Sequence, residues 1–156
     1  MKALVTYFSA SGVTAQVAQR LADAIGAPVY EIRPEVPYTA ADLDWTNKQS
    51  RSTLEMTDKN CRPALADKNA PVADADVIFV GYPVWWYREP SIIDSFLDAY
   101  DFTGRKIVPF VTSGGSGVGT EAPARMKEIT GAAVDAGRRF TAGTDVETLK
   151  AWAESL

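Results

Sequence analysis

The chain has 156 residues, 46% of them hydrophobic, with a formal net charge of −4, no histidine and one cysteine. That length and apolar content suit one domain, expected to span residues 1–156, with a full core. The mild negative charge disfavours non-specific binding to nucleic acid or anionic membrane, and the missing histidine removes Ser-His-Asp and zinc-hydrolase chemistry.

Cys61 alone can form no internal disulfide, and no second thiol or histidine accompanies it for catalysis or metal binding. No apolar run approaches the ~20 residues of a membrane span, and the first one is too short for a signal peptide. A cytoplasmic location is the expectation.

The first run, Ala3 to Phe8, is β-branched and aromatic without strict alternation, the pattern of a strand buried on both faces. After the turn "SASGVT", Val13, Val17, Leu21 and Ile25 recur every four residues and predict a helix, which Gly26 stops. "PVYEI", Pro28 to Ile32, reads as a second strand. Residues 33–76 then break the rhythm, since the usual connection is far shorter. They read as an extended crossover on the C-terminal edge of the sheet, with a helix candidate around Asp44 to Met56.

"DVIFVGYP" predicts a third strand from Val77 to about Tyr82, and Ile92, Ile93, Phe96, Leu97 and Tyr100 a helix after Pro90. "KIVPFVTS" is the fourth strand, whose Pro109 marks a bulge or a local edge. Ala122, Met126 and Ile129 make another helical face stopped by Gly131. A weak strand around Arg138 to Thr141 precedes a last helix carrying Leu149, Trp152, Ala153 and Leu156. Strands alternating with helices predict an α/β fold, a parallel sheet covered on both faces.

In such a sheet ligands bind beyond the C-terminal strand ends, near the reversal of strand order. Three loops leave those ends. The first offers the hydroxyls of Ser9, Ser11 and Thr14, with Gly12 admitting close backbone approach. The N–H groups around Ala10 to Thr14 would face outward at a helix start, which suits a phosphate. The loop has no lysine, so it is not a nucleotide-hydrolase P-loop. A bare helix cap at Ser11 would explain this loop equally well.

The second loop, "YPVWWYREP", sets Trp85, Trp86 and Tyr87 consecutively beyond a strand end. Such a trio calls for a flat apolar partner, though at least one ring is expected to fold onto the core or the crossover. The third loop, Thr112 to Thr120, bares backbone N–H groups at Gly114, Gly115, Gly117 and Gly119. One phosphate, one broad aromatic plane and one hydrogen-bonding rim together describe flavin mononucleotide (FMN). A nicotinamide dinucleotide fits worse, because Gly-x-Gly-x-x-Gly is absent from the first loop.

"TYFSASGVTAQVAQRLA", "VGYPVWWYREP" and "PFVTSGGSGVG" resemble the three cofactor loops of the flavodoxin-like superfamily, nearest to its branch with a long second crossover and a tryptophan-rich middle loop. The resemblance implies a three-layer α/β/α sandwich with a five-stranded parallel sheet in the order 2-1-3-4-5. It also implies one non-covalent FMN. Ser9, Ser11, Gly12, Val13 and Thr14, with the Ala10 backbone, would surround the phosphate. Pro83, Val84, Trp85, Trp86 and Tyr87 would flank the isoalloxazine on one side, and Thr112, Ser113, Gly114, Gly115, Ser116 and Gly117 on the other. Trp86 matches the loop's aromatic position in the quinone-reductase relatives. Val13 stands where the common turn has asparagine, which removes one side-chain donor.

With a flavin supplying the redox chemistry, no catalytic side chain and no metal are needed. The resemblance implies a carrier of electrons between redox partner proteins, or to a small acceptor, as a monomer or weak homodimer. Arg88 beside Glu89 and the modest net charge keep a small NAD(P)H-dependent FMN quinone reductase as the alternative. A response-regulator domain shares the fold, but it needs an aspartate where this chain has Val80-Gly81-Tyr82.

Overall fold

The computed structural model describes residues 2–10, 12–85, 88–112, 119 and 121–156. The elements run β1 (Ala3–Tyr7), α1 (Val13–Ile25), β2 (Val29–Glu31), α2 (Arg51–Thr57), a 3-10 turn (Val72–Asp74), β3 (Val77–Tyr82), α3 (Ser91–Ala99), β4 (Lys106–Val111), α4 (Ala122–Thr130), β5 (Ala133–Val134), β6 (Arg138–Arg139) and α5 (Val146–Glu154). All pairings are parallel, in the order β2-β1-β3-β4-β5, with β6 also on β4.

Strand alternation sorts the core onto two faces. Val77 and Phe79 of β3, with Val108 and Phe110 of β4, pack under α1 and α5 through Val17, Leu21, Leu149 and Trp152. Ile78, Val80 and Tyr82, with Ile107 and Val111, pack under α3 and α4 through Ile92, Ile93, Phe96 and Met126. Because β3 is buried at every position, its sequence has no polar alternation to read. Each such side chain contributes roughly 1.5–3 kcal/mol through the water it leaves. Gly81 admits the Phe110 ring: a Cβ built there would stand 2.3 Å from a ring carbon.

The expected fifth strand around Arg138 to Thr141 is two short ones. β5 pairs with Lys106 and Ile107, β6 with Phe110 and Val111, and between them the chain turns at Asp135, whose carboxylate accepts from Gly137 N–H. Asp135 and Phe140 N–H donate to the carbonyls of Ile107 and Val111, so odd-numbered residues of β4 face this side. Pro109, which has no N–H to give, therefore faces the gap. It marks a local edge inside an otherwise central strand.

The crossover also departs from expectation. The helix candidate over Asp44 to Met56 is helical only at Arg51–Thr57. Asp44 accepts from Thr46 N–H and Asn47 from Gln49 N–H, and these local turns compete with helix through residues 44–49. The helix starts where Ser50 caps it by accepting from Thr53 N–H. Its chain returns along Pro34–Leu65, an isolated antiparallel bridge. Among the described residues no helix is long and apolar enough to cross a membrane.

Candidate functional site

The loops after β1, β3 and β4 leave the same edge of the sheet, where β1 separates β2 from β3 and the order reverses. Gly12 is the residue before α1, at φ 92°, left-handed backbone that costs a side chain strain. Among the described residues no side chain caps α1, and no acidic residue lies in its first turn to offset the partial positive charge of its leading N–H groups. Open space surrounds the position of a Cβ at Gly12, as an anion close to the backbone requires. Gly12 is the N-cap residue of α1, and the expected cap at Ser11 lies outside the described residues.

The hydroxyls expected there are partly engaged. Ser9 Oγ accepts from Gly12 N–H at 3.0 Å, which fixes the turn and leaves its own proton free to donate. Buried Thr14 Oγ1 lies 2.8 Å from Thr112 Oγ1, in a hydrogen bond that joins the first and third loops. Ala10 is exposed and Val13 half-buried beside it. Ser11, Trp86, Tyr87, Ser113, Gly114, Gly115, Ser116 and Gly117 lie outside the described residues.

In the middle loop Pro83 and Val84 are half-buried. Trp85 lies edge-on to Phe8 (5.8 Å, 88°), just past the end of β1, and to Tyr38 of the crossover (5.7 Å, 85°). One ring of the trio thus packs on core and crossover, as expected of at least one. Tyr38 is itself held: its hydroxyl donates to Glu55, and the Arg51 guanidinium lies 4.0 Å from its ring centroid and bonds Glu55 at 2.9 Å. Burial and the Glu55 carboxylate push the Tyr38 phenol well above its usual range. Beside this wall a cleft of about 410 Å³ opens between the ends of β1 and β2 and the crossover, lined by Phe8, Ser9, Arg33, Pro34, Tyr38 and Ala66 among others.

Arg88 and Glu89, the adjacent loop charges that keep the reductase alternative open, point into the protein. Arg88 is 2% exposed; Glu89 and Asp94 are 0% exposed. Arg88 donates to the carbonyl of Met56 at 3.1 Å, at the C-terminal end of α2, and to Asp94 at 3.3 Å. Arg125 of α4 bonds Asp94 at 2.6 Å and Glu89 at 3.0 Å. Asp94 and Arg125 carried no signal in the sequence, since each sits in an ordinary amphipathic helix.

The family model described as Flavodoxin matches residues 2–156. A Bacteroides eggerthii DSM 20697 protein assigned as a flavoprotein is 42% identical, the match covering 99% of this chain and 96% of that one, with a TM-score of 0.90. Its Bacteroides uniformis ATCC 8492 counterpart is also 42% identical, over 98% of this chain and 97% of that one, with a TM-score of 0.88. A flavoprotein from Lactobacillus acidophilus NCFM, solved in complex with FMN, shares the fold at 21% identity, over 97% of this chain and 98% of that one, with a TM-score of 0.72. No curated protein matches. The sheet order, the helix-start turn and a family model spanning nearly every residue lead to one assignment: this chain belongs to the flavodoxin family.

Proposed function

We propose that the chain is an FMN-binding redox protein that carries electrons between partners through a non-covalently held flavin. The observation that carries this reading is the lysine-free start of α1, which no described side chain caps and which the Thr14–Thr112 bond ties to the third loop. Neutral donors at a helix N-terminus suit one terminal phosphate, and the FMN complex of the Lactobacillus acidophilus protein supports that choice. Ser9, Ser11, Gly12, Val13 and Thr14, with the Ala10 backbone, would hold the phosphate, and the middle and third loops would hold the ring. The flavin, when bound, supplies the electron transfer. The chain's own residues bind and orient it, and Trp85, wedged on Phe8 and Tyr38, anchors the loop that borders it.

Calorimetry tests the cofactor: FMN should bind at one per chain and more tightly than FAD or riboflavin. Equal affinity for all three would remove the phosphate assignment. A second reading, a small NAD(P)H-dependent quinone reductase, is favoured by the open cleft beside Ser9, which leaves room for a substrate. Oxidation of NAD(P)H by a naphthoquinone, at a rate well above that of free FMN, would select it; a carrier shows none.

A further inference from the structure

The charged cluster behind the middle loop is not used by the reading above. Trp85 and Arg88 exchange backbone hydrogen bonds of 3.0 and 3.2 Å and so form a paired base for the middle loop. Glu89 follows at once. Its Cα lies ~3.8 Å from that of Arg88, at the base of the loop. Both carboxylates there are fully buried, yet they are unequally served. Asp94 Oδ2 has Arg125, Arg88 and, at 3.8 Å, Arg62. Glu89 Oε1 has Arg125 alone, and each carboxylate keeps one buried oxygen, Glu89 Oε2 and Asp94 Oδ1, with no partner among the described residues.

We propose that Glu89 is a proton-exchange site coupled to the charge of the flavin: its carboxylate takes a proton from water when an added electron makes the neighbouring loops more negative, and returns it on reoxidation. The inference rests on the flavin reading. Charge balance is the reason. Arg88 and Arg125 offset Asp94 and ionised Glu89, so protonating Glu89 leaves the cluster at +1, opposite in sign to the charge gained by the flavin. Electron and proton arrive together, the electron from an electrode and the proton from solvent at the partly exposed Arg125 edge.

The surrounding groups keep Glu89 close to its titration. Burial foremost, then the charge of Asp94 from α3, pushes its carboxyl up to about 8, against the opposing pull of Arg125 from α4 and Arg88 in the loop itself. Tyr82 at the end of β3 stays neutral, its phenol raised well above the usual range by burial. At the rim Arg62 and the Lys59–Glu121 pair close the cluster from the crossover and α4, and Glu55 lies behind Arg88.

The test follows the reduction potential of the FMN-loaded protein from pH 6 to 10, in the parent and in Glu89→Gln. The parent should show an extra one-proton change of slope near pH 8, and Glu89→Gln should lack it. Equal slopes in the two proteins overturn the proposal. Carbon-13 NMR of carboxyl-labelled glutamate in the oxidised parent reads the same proton without any substitution, and one glutamate should titrate near pH 8. If every glutamate titrates below pH 6, the site is refuted even where Glu89→Gln fails to fold. A protein that holds no flavin but shows the late-titrating glutamate refutes the cofactor reading and the coupling, and leaves only the buried proton.

Discussion

The two regions beside the middle loop solve opposite electrostatic problems. The turn after β1 contains no charged side chain between Ser9 and Thr14, and no described side chain caps the start of α1. The cluster at the base of the middle loop buries three charges, Arg88, Glu89 and Asp94, and pairs them with one another and with the partly exposed Arg125. A binding site must hold interactions in reserve for its ligand. A support must spend them on itself, because a buried charge without a partner costs several kcal/mol. The difference teaches that change in the turn should alter affinity, and change in the cluster should alter stability.

The largest expected effect is in the cluster. Asp94→Ala leaves Arg88 and Arg125 facing each other without their shared carboxylate, and should cost about 3–5 kcal/mol of stability in urea unfolding. A loss below about 1 kcal/mol would mean that water reaches these groups and that the contrast fails.

In the turn, Ser11→Ala and Thr14→Val should each weaken FMN binding by about 1.5–3 kcal/mol while riboflavin, which lacks the phosphate, binds as before. Matched losses for the two ligands would recast the turn as a folding element. Smaller still is the bond between loops. A double-mutant cycle of Thr14→Val and Thr112→Val should give a coupling of about 0.5–1.5 kcal/mol in flavin-loaded unfolding. Additive losses would separate the two loops energetically.

The last effect, of similar size, concerns the aromatic loop. Trp85 spends its edges on Phe8 and Tyr38, so Trp85→Leu should lower stability by about 0.5–1.5 kcal/mol through those pairs and change the emission of bound FMN little. Trp86→Leu should brighten that emission more. If Trp85→Leu brightens it more than Trp86→Leu does, the stacking assignment is reversed.

Much of the frame was legible because its signals are local. Val17, Leu21 and Ala22 announce one face of α1, Gly26 its end, and the apolar run Val77 to Tyr82 a strand buried on both sides. Pro109 was readable as an exception, since a residue without an N–H can face only a gap. The helix expected from Asp44 failed for an equally local reason. Asp44 and Asn47 bond their own backbone, and apolar spacing alone does not weigh that competition.

What the sequence by itself determined is therefore the alternation of strands and helices and the chemistry of the turn after β1, both written within a few neighbouring residues. Only the tertiary structure decided where Arg88 and Glu89 point. The adjacent pair reads as two loop charges, but Arg125, 36 residues beyond Glu89 and 31 beyond Asp94, draws them into one buried cluster. The same holds at Gly81, whose missing side chain is explained by the Phe110 ring across the sheet. Burial and charge pairing depend on which helices the sheet brings together, and no window of local sequence contains that distance.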